Sequence, residues 1–87
     1  MAKSEDAPKL QVKIFSPRET YYDGDADALS GANDTGSFDV LPLHHNFMTL
    51  LKAGEVSVVR GEKKQSYKIE KGLLHVKDNV ATVFLDV

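Results

Sequence analysis

The 87-residue sequence contains no cysteine and no tryptophan. Without thiols, neither a disulfide framework nor a thiolate metal site can brace the fold, and the composition fits a reducing compartment. The absence of tryptophan weighs against a carbohydrate-type binding module, which needs broad aromatic platforms; Tyr21, Tyr22 and Tyr67 all sit in strand-like patterns. No apolar run approaches the ~18 residues that would span a bilayer. The opening MAKSEDAPKL is charged and lacks an apolar core, so it does not read as a secretory signal. A cytosolic or similar compartment is expected. Charge of one sign is lacking too. Eleven basic and thirteen acidic residues leave a net charge of -2, and the two signs are interspersed. That argues against a dedicated nucleic-acid surface.

What is present is a succession of short apolar runs. At this length the chain makes one domain, burying only ~60–65% of its unfolded surface. Residues 1–8 are polar and are expected to form a flexible tail, with the domain running over 9–87. Leu10, Val12 and Ile14 alternate with Gln11 and Lys13, the period of a half-buried strand. Ser16-Pro17-Arg18-Glu19 is a turn, and Thr20 to Tyr22 begin a second strand that Asp23-Gly24-Asp25 is expected to break. Ala26 to Ser30 would form a third strand, followed by a loop over Gly31–Gly36.

The stretch Gly36–Val56, GSFDVLPLHHNFMTLLKAGEV, organises the rest. It reads strand, sharp turn, strand, turn, strand, and the flanking strands are expected to cover it as a hairpin. Pro42 stops its first strand because it offers no N–H to a ladder. Leu43 to Asn46 fill an exposed turn. Strands then follow around Val56–Val59, Ser66–Ile69, Leu74–Lys77 and Val80–Leu85. Turns fall at Arg60-Gly61-Glu62-Lys63, Glu70-Lys71-Gly72 and Asp78-Asn79. Turn signals every ~8–12 residues and no helical stripe predict an all-β fold, a flattened β-sandwich of about nine to ten short, mostly antiparallel strands.

Catalytic patterns are scarce. His44 and His45 are adjacent, and on a strand their side chains would point to opposite faces, away from a common metal. They read as turn residues, one exposed and one partly packed. Asp23-Gly24-Asp25-Ala26-Asp27 resembles the start of a calcium loop. However, Ala28 stands where that pattern requires glycine and Asp34 where it requires glutamate. No nucleophile elbow and no phosphate-cradling loop occurs in the sequence. Phe47 to Leu51 is apolar on both faces of one strand. Phe47, Thr49 and Leu51 share one side, Met48 and Leu50 the other. One side fills the sandwich; the other either lies under a neighbouring loop or is an exposed patch for a partner.

The order of these motifs resembles the N-terminal β-sandwich domain of the epsilon subunit of F-type ATP synthase (the delta subunit of mitochondria). That family pattern runs G-x-F-G-I-L-P-G-H-A-P-L-L-T-x-L-x-P-G. Here Gly36, Phe38, Val40, Leu41, Pro42, His44, Thr49, Leu51 and Gly54 fall in register. The opening strand with its Ser16-Pro17-Arg18-Glu19 corner, the Gly72–Val76 strand and the Ala81–Asp86 strand also match, so the resemblance covers Leu10 to Asp86. Asp39 and Leu43 replace glycines of the pattern, Asn46 replaces its proline, and Ser37 stands where many members carry glutamate; these changes alter the turn that the family directs toward the membrane rotor ring.

The resemblance implies a non-enzymatic central-stalk subunit without a cofactor. It would pack on the gamma subunit and rest on the c-subunit ring, peripheral to the cytoplasmic face of an energy-transducing membrane. It would couple proton- or sodium-driven rotation to ATP synthesis. Carried over by position, Ser16 and Thr49 would face gamma, and Ser37, Leu43, His44 and His45 would face the ring. Family members usually continue into two C-terminal helices. This sequence stops at Val87, so no helical hairpin, and none of the ATP binding or inhibition that goes with it, is expected of these residues.

Overall fold

A computed structural model describes residues 8–85. The expected tail lies almost wholly outside that range, as do Asp86 and Val87. Nine strands follow in order: β1 (Leu10–Phe15), β2 (Thr20–Ala26), β3 (Ala28–Asn33), β4 (Gly36–Val40), β5 (Phe47–Leu51), β6 (Gly54–Arg60), β7 (Lys63–Ile69), β8 (Gly72–Lys77) and β9 (Val80–Leu85). They form two sheets, a five-stranded one ordered β2-β1-β9-β8-β5 and a four-stranded one ordered β4-β3-β6-β7. The result is the expected all-β sandwich. Every pairing is antiparallel except that of β1 with β9.

Alternation builds the core. Leu10, Val12 and Ile14 of β1 point inward beside Ala81, Val83 and Leu85 of β9 and Leu74 and Val76 of β8, with Leu51 of β5 at the edge. Leu29, Val40, Val56, Val58 and Ile69 of the second sheet close over them, and every one of these side chains is buried. Partly buried Tyr21, Tyr22, Phe38, Phe47 and Tyr67 seal the margins.

Three expectations need correcting. First, β4 and β5 do not make a hairpin: the chain leaves the four-stranded sheet at Val40 and joins the five-stranded sheet at Phe47. The turn between them therefore crosses one end of the sandwich. Second, Asp23-Gly24-Asp25 does not break β2. The strand lies at a sheet edge, where Asp23 and Asp25 pair opposite Lys13 and Gln11 and reach water. Asp25 also meets the Arg60 guanidinium at 3.1 Å. Third, β3 spans Ala28–Asn33 rather than residues 26–30, and the loop after it shrinks to Asp34-Thr35.

The step from one sheet to the other falls on a single residue, Asp27. Its carboxylate accepts from Lys9 Nζ and from the Gly61 N–H, both at 2.7 Å, and its own N–H donates to the Val59 carbonyl at 2.7 Å. The Lys9 hydrogen bond, then the Gly61 N–H, hold this carboxyl below its usual range. The acidic stretch is thus an edge strand plus a corner. Among the described residues, no three histidine or carboxylate side chains come together as metal ligands.

Candidate docking surfaces

Two surfaces stand out, one on a face of the sandwich and one at an end. The face is the outside of the five-stranded sheet. Register aligns one apolar residue from each of four adjacent strands: Phe15 beside Phe84, Phe84 beside Leu73, Leu73 beside Leu50. The Phe15 and Phe84 rings meet edge to face, centroids 5.2 Å apart, and Lys13 Nζ lies 5.3 Å from the Phe15 ring. Leu50 is 72% exposed and Met48, one row along, 59%. Leu50, Leu73 and Phe84 also line a shallow hollow with Leu51, Gly72 and Lys71. The outward side of β5 is therefore an exposed patch and not core under a loop.

The sequence carries a signal for this row. Each of the four strands has an apolar doublet that breaks its alternation: Ile14-Phe15, Leu50-Leu51, Leu73-Leu74 and Phe84-Leu85. In each doublet one member points inward to the core and the other, Phe15, Leu50, Leu73 or Phe84, points outward. Strand register is what brings the four together, and no single strand reveals it.

The residues expected to face gamma flank this row. Ser16 follows Phe15 and is buried, its Oγ accepting from the N–H groups of Arg18 and Glu19 at 3.2 and 3.3 Å. Its own N–H donates to the Glu19 carbonyl at 2.8 Å, which closes the corner after β1. Thr49 lies between Met48 and Leu50, half-buried, and its Oγ1 accepts from Asn33 Nδ2 at 3.0 Å. That bond ties β5 to β3 across the sandwich. Both hydroxyls are engaged within the fold.

The second surface is the apex formed by the crossing turn. Leu43 adopts φ +66° and is 69% exposed; Leu41 is 54% exposed. The Leu43 N–H donates to Asn79 Oδ1 at 2.8 Å, and the Asp78 N–H donates to Asn46 Oδ1 at 2.9 Å. Two asparagines thus staple the crossing turn to the β8–β9 turn, whose Asp78 and Asn79 have φ of 52° and 67°. Asn79 Nδ2 further donates to the Lys9 carbonyl at 2.6 Å, and the Asn79 carbonyl accepts from the Gln11 N–H.

His44 and His45 do not point to opposite faces. They lie in the turn and not on a strand, so alternation does not apply. Their rings stack with centroids 4.3 Å apart, and both lean on the Phe47 ring. Phe47 in turn meets Phe38 edge to face. His44 is partly packed and His45 exposed, as expected of turn residues. The structure brings Leu43, His44 and His45 together. It leaves Ser37 elsewhere: the residue is exposed near the start of β4, three positions (about 10 Å) before Val40. The two surfaces lie toward opposite ends of the sandwich, whose extents are 40 × 24 × 20 Å. β8 links them, carrying Leu73 in the apolar row and ending at Lys77 beside the stapled turn.

Comparison with known proteins fits this arrangement. Residues 9–87 match the family described as ATP synthase, Delta/Epsilon chain, beta-sandwich domain. The ATP synthase epsilon chain of Leptospira borgpetersenii serovar Hardjo-bovis is 34% identical over 80 residues, and that of Hydrogenovibrio crunogenus 35%. Each alignment covers 92% of this chain, but only 63% and 56% of the relative's own length. Among solved structures, a chain of the Euglena gracilis mitochondrial ATP synthase (OSCP/F1/c-ring) superimposes with a TM-score of 0.84 at 23% identity, covering 91% of this chain and 51% of that one. A chain from the Tetrahymena thermophila mitochondrial ATP synthase central stalk and c-ring gives 0.75 at 14% identity. At these identities the superpositions speak for the fold. With nearly all of the described sandwich matched, the chain belongs to the ATP synthase delta/epsilon family, as its β-sandwich domain.

Proposed function

We propose that this chain serves as a non-catalytic central-stalk element of an F-type ATP synthase. The outer face of its five-stranded sheet packs on the gamma subunit, and its apex rests on the c-subunit ring. The observation that carries the reading is the apolar row Phe15–Phe84–Leu73–Leu50 on an otherwise solvent-facing sheet. Apolar side chains lined up across four strands give the dry, depolarised centre that a permanent interface needs. Ser16 and Thr49 then act as flanks of that contact, shaping it through the turn and the β5–β3 tie, and not as hydroxyl donors to gamma.

A sandwich stapled at its corner and at its apex suits a part that passes torque, because shear between its sheets would cost closely packed contacts. Attachment through the ring makes the chain peripheral to the membrane, on its cytoplasmic face. No helix among the described residues is long and apolar enough to cross it. The turn residues Leu43, His44 and His45 form the ring-facing end, while Ser37 lies back from it along β4.

The test is co-purification with the gamma subunit of the same organism, followed by size-exclusion chromatography. A one-to-one complex is expected. Leu50→Asp should weaken it by ~30-fold or more, the loss typical of a buried central anchor, while leaving the melting temperature of the free chain almost unchanged. Separate elution of the two wild-type proteins at micromolar concentration would overturn the reading.

A further inference from the structure

His75 stands where the outer face of the five-stranded sheet changes from apolar to polar. It is exposed on β8, on the same side as Leu73 and one row along from Phe15, Phe84, Leu73 and Leu50. Register sets it between Met48 of β5 and Thr82 of β9, with Lys13 of β1 beyond Thr82. Side chains paired in this way have Cβ atoms about 5 Å apart, and the diagonal neighbours, here Phe84 and Leu50, lie at about 7–8 Å. The ring therefore borders the apolar row directly.

Its electrostatic surroundings are one-sided. β5 and β9, which flank β8, carry no ionisable side chain. The cations of this face are Lys77, the next outward residue of β8, Lys71 at the rim of the hollow, and Lys13, about 10 Å away across two strands. The acids Asp23 and Asp25 lie at the far sheet edge, on β2. In the free chain, water solvates the His75 ring in either charge state. Covering the face takes that water away. Desolvation disfavours the imidazolium, and the like charges of Lys77, Lys71 and Lys13 act in the same direction.

We infer that His75 is a pH gate on this face: a partner that covers the apolar row takes the chain with His75 neutral, and docking releases the imidazole proton to solvent. This rests on the proposed packing of the gamma subunit on the row. The bound state then holds fewer protons than the free state, so affinity falls as pH falls through the range in which histidine changes charge. Acidification would loosen the contact before it reaches the fold, because an exposed ring adds nothing to the core.

The test is calorimetric titration of the chain with the gamma subunit of its own organism, at about pH 7.5 and about pH 5.5. Wild type should bind ~10-fold or more weakly at the lower pH. His75→Gln cannot take up the proton, and its two affinities should agree within about twofold, whatever their absolute value. His75→Lys is charged throughout and should bind at least ~10-fold more weakly than wild type at the higher pH. The free variants should melt within a degree or so of wild type, since the position is exposed. Equal wild-type affinities at the two pH values, or tighter binding in acid, would overturn the gate and leave the stalk reading standing. So would His75→Gln losing as much affinity on acidification as wild type, because the sensitivity would then belong to another group. If wild type fails to bind gamma even at the higher pH, the reading of the apolar row fails and the gate fails with it.

Discussion

Asn79 Oδ1 accepts a 2.8 Å hydrogen bond from the backbone N–H of Leu43, thirty-six positions away in sequence. Through it the turn that crosses between the sheets and the turn that joins the last two strands behave as one body. Replacing the amide removes the acceptor for Leu43 and the donor to the Lys9 carbonyl. Asn79→Ala should lower stability by about 1–2 kcal/mol, part of it from placing alanine at φ +67°. Asn79→Gly isolates the staple, since glycine tolerates the backbone. Chemical denaturation of both variants gives the two contributions, and equal midpoints for wild type and Asn79→Gly would mean the staple adds nothing.

Asp27 gives the fold an acid-sensitive corner. Its folded pKa lies below the ordinary 3.8, first through the Lys9 hydrogen bond and then through the Gly61 N–H. A carboxyl depressed in the folded state adds stability that is present above its unfolded value and lost as pH falls through the folded one. The contribution should be whole at pH 6 and fade below about pH 4. The group is partly exposed, so solvent screening keeps the effect modest. Melting curves at pH 6 and pH 2.5 should differ less for Asp27→Asn than for wild type. Equal acid losses would show that the corner does not sense pH.

Gly72 begins β8 where space is short. A Cβ there would meet Leu85 Cδ2 and the Phe84 backbone carbonyl, each at 3.1 Å. The leucine end can swing, but the carbonyl belongs to the β8–β9 ladder and cannot. Gly72→Ala should cost about 1–3 kcal/mol, the penalty of overpacking a tight site. An unchanged denaturation midpoint would mean that β9 shifts without cost. Because Gly72 also borders the hollow beside Leu73 and Phe84, the variant should loosen the apolar outer face of the five-stranded sheet as well as the core.

Much of this architecture is legible in the residues. The alternation of Leu10, Val12 and Ile14 and of Leu74 and Val76 locates strands whose inner faces are the core, and Asp78-Asn79 and Gly61 mark turns that the backbone confirms with positive φ. Sheet membership is not legible, because it depends on pairings between distant segments. β4 and β5 look like hairpin partners from their spacing, yet each joins a different sheet. Gly31 reads as loop, but it is a strand residue whose missing side chain leaves room for Leu51 and Phe38, whose atoms would lie 3.4 and 3.6 Å from a Cβ. Asp23 and Asp25 read as strand breakers, and an edge position makes them harmless. At the apex the residue types are visible in sequence. The Leu43 strain and the stacked histidines are not, since both come from the crossing and from an asparagine brought in by the last hairpin.

β1 lies between β2 and β9, and its pairing with β9 is parallel and joins the two ends of the domain. A nascent chain can form the β2 contact early but has no second neighbour for β1 until the final strand is made. Until then Leu10, Val12 and Ile14 lie on an open sheet edge, and β8 has β5 on one side but no neighbour on the other. Closure of the sandwich is therefore a late, long-range event, of the kind that slows folding and leaves sticky strand edges exposed in the meantime. Synthesis itself sets the order: nearly the whole domain must leave the ribosome before its first strand is finished with.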